Sequence, residues 1–98
     1  MKIHWSPEAS ADFTSIIQYI HQENPTASRR VAERISGTLN QLKAFPHLGR
    51  AGRLEGTREL VFTPLPFVVV YRVKQEIVEI ARVLHGAQQW PVKGPHPK

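Results

Sequence analysis

Cysteine is absent from the 98 residues. That removes disulfide scaffolds, thiol nucleophiles and cysteine-ligated zinc, and it fits a reducing compartment. Long apolar runs are missing as well. Nothing approaches the roughly 18 residues of a membrane span, and the opening MKIHWSPEAS lacks the apolar stretch of a secretory signal. Acidic side chains are the scarcer sign, eight against thirteen Lys and Arg, for a net charge of +5. Residues 50–98 hold eight basic and four acidic side chains, residues 1–49 five and four, so the excess sits mostly in the second half. The expectation is a soluble, cytoplasmic protein with no membrane partner. Its basic surface suits nucleic acid or an acidic protein, with an ordinary solvated surface as the plainer alternative.

What is present is enough for one core: 41% of the residues are apolar, and the chain length favours a single domain over residues 1–91. Lys2 to Trp5 reads as a short strand. Ser6-Pro7 then starts a helix, serine as N-cap and proline at the first helical position, where its missing N–H costs nothing. Ala9, Phe13, Ile16, Ile17 and Ile20 recur at helical spacing, leaving Glu8, Asp12 and Gln18 toward water. Asn24-Pro25 repeats the device, and Val31, Ile35, Leu39, Leu42 and Phe45 line a second helix over residues 25–44. The short connection makes the two helices antiparallel. HLGRAGRLEG, residues 47–56, reads as loop. Strands are predicted over 57–62, 67–73 and 77–84, joined by short turns and therefore antiparallel. The fold class is α+β: an N-terminal strand, a helix pair and a three-stranded meander, with the helices on one sheet face. The proline-rich residues 92–98 are expected to be a disordered tail.

Arg58, Arg72 and Arg82 lie one on each meander strand, in runs otherwise apolar. Pairing with Glu59, Glu76 or Glu79 would explain them structurally. Convergence on the uncovered face, with Arg50 and Arg53 from the preceding loop, would instead build a phosphate site. His85 sits at a strand end beside Gly86 and is a candidate acid or base, although a lone histidine is more often structural. The other histidines show no metal-ligand spacing, so no metal is expected. Glu8 with Asp12, and Arg29 with Arg30 and Arg34, read as solvated helix faces. Trp5 and Trp90 are core lids or partner anchors.

The combination of SPEASADF, Asn24-Pro25, FPHLGRAGR, GTRELV, FVVVYRV and ARVLHGAQQW resembles the RelE/ParE superfamily of type II toxin–antitoxin toxins, over almost the full chain. The resemblance implies a cytoplasmic bacterial toxin that arrests growth when freed from a cognate antitoxin, with a toxin–antitoxin hetero-oligomer as the stored form. No cofactor is implied. It also implies one of two targets: DNA gyrase for ParE-like members, or messenger RNA on the ribosome for RelE-like endoribonucleases. If the chain is a nuclease, Arg58, Arg82 and His85 are the catalytic candidates, and Arg50, Arg53 and Arg72 the phosphate- or target-binding ones. Gly86, Gln89 and Trp90 are candidates for partner contact. Val68 departs from the nuclease pattern, which tends to place arginine about there on the middle strand. Losing one such cation typically costs about 3 to 4 kcal/mol of transition-state stabilisation. The gyrase-directed reading is therefore preferred, with the ribosome-dependent nuclease second and a non-toxic binding module third.

Overall fold

A computed structural model of the chain describes residues 1–86. Gln89, Trp90 and the tail from 92 lie outside the described residues, so the expectations for them stay open.

The elements are β1 (Lys2–Trp5), α1 (Pro7–Glu23), α2 (Pro25–Gln41), β2 (Arg50–Ala51), β3 (Arg58–Val61), β4 (Phe67–Lys74) and β5 (Ile77–His85). Both predicted caps are in place: Ser6 Oγ accepts the Ala9 N–H at 3.0 Å, and Asn24 Oδ1 accepts the Ala27 N–H at 3.0 Å. Each is followed by proline at the helix start, so two of the orphan donors at each N-terminus are dealt with locally. The second helix ends at Gln41, three residues before the prediction, and a turn carries the chain through Leu42 to Ala44. Leu42 and Leu39 still belong to the core, which is why their spacing reads as continued helix.

The five strands form one mixed sheet in the order β1-β5-β4-β3-β2. The meander β3-β4-β5 is antiparallel, as predicted, and β1 joins it parallel to β5. Arg50 and Ala51, predicted as loop, pair with Glu59 and Arg58 and extend the sheet by one short edge strand. Two residues carry no readable alternation, so their sequence gives no strand signal.

The core fills the space between the helices and one sheet face. Ala9, Val31, Ile35 and Leu39 meet Leu60, Phe62, Phe67, Val69, Tyr71, Val78, Ile80 and Val83. Trp5 packs against Phe13 with ring centroids 5.3 Å apart, so this tryptophan serves packing. Alternation along β4 sends Phe67, Val69 and Tyr71 to the helices and Val68, Val70 and Arg72 to the second face. A bulge interrupts β5: Val70 faces Arg82 and Tyr71 faces Ile80, leaving Ala81 without a partner on β4. The bulge reverses the parity of the strand. Val78 and Ile80 face the helices before it, and Val83 does so after it.

Ile35 is fully buried at the centre of this core. Ile35→Ala should lower stability by about 2–5 kcal/mol. Urea unfolding would show this as a shifted midpoint, while Ile77→Ala, at a residue 42% exposed, should barely move it.

Candidate functional site

The predicted site residues separate into several places. Arg82, on β5, turns to the helix side of its strand edge. β1 pairs with β5 only as far as Ile80, so beyond that residue the β5 edge has no neighbouring strand among the described residues. Asp12 of α1 occupies the gap. Its Oδ2 accepts the Val83 backbone N–H at 2.9 Å and Arg82 Nε at 2.7 Å, while Oδ1 accepts Arg82 Nη2 at 3.0 Å. The bidentate carboxylate, first through its hydrogen bonds, holds the Arg82 guanidinium more firmly protonated than usual. Asp12 is thus a structural acceptor and ion partner, which corrects its reading as a solvated helix position. Ser6 completes the same edge by donating from Oγ to the carbonyl of bulged Ala81 at 2.9 Å.

The second place is the β2 edge. Glu59 is buried, with its side chain only 1% exposed. Its Oε1 accepts Arg50 Nη2 at 3.1 Å, and Oε2 accepts the Arg53 backbone N–H at 3.0 Å and Arg53 Nε at 3.1 Å. Burial by itself pushes the Glu59 carboxyl up, but these three donors outweigh it and hold the group below the ordinary glutamate value. Arg72 lies one pleat pair along the second face, where Glu79 accepts from its Nη1 at 3.5 Å and also meets Lys74 Nζ at 3.6 Å.

Arg58 is the third case. It sits opposite Tyr71 and donates from Nη1 to the carbonyls of Gly49 at 2.7 Å and His47 at 3.4 Å. It pins a loop, and the expected pairing with Glu59 is not made. Arg34, expected on a solvated face, also has work to do: it donates to the Thr63 carbonyl at 3.0 Å and lies 5.8 Å over the Phe62 ring.

The three nuclease candidates do not converge. His85 is opposite Phe67 and Arg58 opposite Tyr71, four residues apart on β4, or roughly 13 Å along the strand before any lateral offset. His85 meets the Phe67 ring edge-on at 5.9 Å and borders an apolar groove of about 490 Å³. Ile16, Tyr19, Ile20, Val31 and Leu65 line the rest of that groove. Gly86 follows directly, its N–H donating to the Pro66 carbonyl. The expected gathering of arginines on the uncovered face is corrected accordingly: Arg50 and Arg53 share Glu59, Arg72 shares Glu79 with Lys74, Arg82 has Asp12, and Arg58 has two carbonyls. Sequence reading missed Asp12 and Tyr71 as organising groups, because the pairing of residues 70 positions apart, or of a strand tyrosine with a distant loop, leaves no local pattern.

A two-helix layer on one face of a small mixed sheet, with a basic surface and an apolar groove beside the helices, is the architecture of a compact α+β toxin of the RelE/ParE superfamily. The chain belongs to the family described as the ParE toxin of the type II toxin–antitoxin system parDE, whose profile matches residues 3–90. The Y4kP protein of Sinorhizobium fredii is 39% identical over 90 residues, covering 92% of this chain and 93% of that protein. Toxin RelE2 of Caulobacter vibrioides is 37% identical over 87 residues, covering 89% of this chain and 97% of that one. Among solved structures, a chain from a chromosomal ParDE system of P. aeruginosa superposes with a TM-score of 0.77 at 25% identity, covering 87% of this chain and 95% of that chain.

Two outcomes follow from the ion pairs. Asp12→Ala should cost about 2–4 kcal/mol, since it strips both Arg82 and a strand-edge N–H of their acceptor, and hydrogen exchange at Val83 should accelerate. Glu59 has a depressed folded value, so its contribution is full above the ordinary glutamate range and disappears as pH falls through the lowered value. Glu59→Gln should therefore weaken the protein at neutral pH and flatten its acid limb, read as urea midpoints between pH 3 and 7.

Proposed function

We propose that this chain is a growth-arresting cytoplasmic toxin that acts by binding DNA gyrase and is silenced by a cognate antitoxin in a hetero-oligomer. One observation supports the choice of target: the basic side chains on the sheet are spread over separate places, and most of them touch a carboxylate. Ribonuclease chemistry without a metal needs fixed positive charge converging on one phosphate as the 2′-hydroxyl attacks. A guanidinium already neutralised by a bidentate carboxylate supplies little of that. Arg82 on Asp12 is in this condition, and Arg50 and Arg53 are both turned onto the single carboxylate of Glu59. Val68, on the middle strand where nuclease-like relatives tend to carry arginine, points the same way. A toxin that works by occupying a protein surface needs none of this machinery and no cofactor.

Purified toxin added to a gyrase supercoiling reaction should inhibit it or accumulate cleaved DNA at micromolar concentration, and the inhibition should vanish when the antitoxin is added first. Codon-phased cuts in translated messages, lost on Arg82→Ala or His85→Ala, would transfer the function to messenger RNA. Normal growth after induction without antitoxin would leave only a binding role.

A further inference from the structure

Residues 44–48 form a turn whose apolar side chains face solvent. Phe45 is 64% exposed and Leu48 48%, among the largest apolar exposures in the described residues. Exposed apolar groups are common singly, but the backbone that carries this pair is tied down by hydrogen bonds. The Leu48 N–H donates to the Phe45 carbonyl at 3.1 Å. Below them the Tyr71 phenol, fully buried, donates to the Pro46 carbonyl at 2.8 Å and accepts the Gly49 N–H at 2.8 Å. Arg58 takes the carbonyls of His47 and Gly49 from the other side. Gly49 is needed for this closeness: a Cβ there would lie 2.8 Å from the Glu59 carbonyl oxygen and 2.9 Å from the Tyr71 ring. Four hydrogen bonds to a strand tyrosine and a strand arginine are more than a simple connection requires. They fix the backbone under two apolar side chains outside the core, where their burial contributes nothing to folding.

The charge around the turn is positive in balance. Lys43 has no acidic neighbour within nine residues of sequence on either side, His47 is at the tip, and Arg50 and Arg53 share the one carboxylate of Glu59, which leaves that trio with a net positive charge. Lys43 and Arg50 flank the turn and are exposed. Apolar anchors on a fixed backbone inside a cationic rim are the arrangement of an interface centre, where part of the cost of ordering has been met before the partner arrives.

We infer that the turn Phe45–Leu48 is a docking knuckle for an acidic segment of the antitoxin, one that places an apolar side chain against Phe45 and Leu48 and carboxylates against Lys43 and Arg50. This rests on the proposed toxin–antitoxin reading and extends it to a surface apart from the groove beside α1. A protein segment is favoured over nucleic acid because Leu48 and Pro46 offer aliphatic surface, and a single ring gives no run of stacking platforms.

The test uses the full chain and its cognate antitoxin, with affinity measured by calorimetry. The double variant Phe45→Ser/Leu48→Ser should bind roughly tenfold or more weakly, with an unchanged melting midpoint. Lys43→Glu should slow association at low salt and matter less at high salt. Hydrogen exchange on the unaltered toxin gives an independent readout: amides of residues 43–49 should gain protection when antitoxin is added. Antitoxin affinity within twofold of the parent, or no added protection, overturns the inference. Retained affinity with lost growth arrest, or with lost RNA binding, also overturns it and assigns the knuckle to the target. If the unaltered chain fails to bind the antitoxin at all, the functional reading falls and takes this one with it.

Discussion

A strand edge left open by its neighbour is the constraint on which much of this molecule turns. β1 covers β5 only to Ile80, and the next exposed donor, the Val83 N–H, would otherwise be an invitation to pair with another chain. Asp12 closes it from a helix. One carboxylate thereby does three things: it satisfies a backbone donor, ties α1 to the sheet across 71 residues of sequence, and draws the Arg82 guanidinium to the helix side. An arginine used in this way is removed from the second sheet face, whose chemistry is altered as a result. The same logic holds at the opposite edge, where buried Glu59 fixes the β2 turn by gathering Arg50 and Arg53.

Charge on the sheet should therefore be weighed by partner and not by count. An isolated guanidinium in a half-buried place acts at full strength on an incoming phosphate; one sharing two hydrogen bonds with a carboxylate presents a dipole, with a far weaker field at distance. Register puts Arg50, Glu59 and Val70 in one row across the second face, and Arg72 with Glu79 in the next. Acid meets base in both. Such a face is suited to orienting a protein partner with its own mixed charges.

Most of the fold was legible because its signals are local. Two Ser/Asn-Pro caps, two apolar stripes of helical period and three β-branched runs specify helices and meander without any knowledge of contacts. The parallel docking of β1 on β5 and the two-residue strand β2 were not legible, since neither has a pattern of its own. The site was read less well, and the bulge at Ala81 is a main reason. Strict alternation from Val78 and Ile80 would send Arg82 and Leu84 to the helices and Val83 outward. One unpaired residue inverts that assignment, so a count along the strand cannot say which cations share a face. Arg58 shows a second limit: its acceptors are backbone carbonyls of a loop nine and eleven residues earlier, and carbonyls are the same in every sequence.

Val68 is one of a set of apolar neighbours. It lies opposite Val61 on β3 and Leu84 on β5, so the row it occupies is apolar from strand to strand. Leu84 is only 2% exposed, and Val70, diagonally adjacent, is fully buried. An arginine at position 68 would have to lie on this surface with no carboxylate in its row, and desolvating its charge there without a partner would cost several kcal/mol. The apolar surface around position 68 therefore involves Val61, Val68, Val70 and Leu84 together. Restoring one cation would not restore a phosphate site, because the neighbours that would hydrate and orient it are also apolar. With Val70 and Leu84 already buried, this part of the second face is packed as protein interior, and the charge on the sheet is left to the rows beside it.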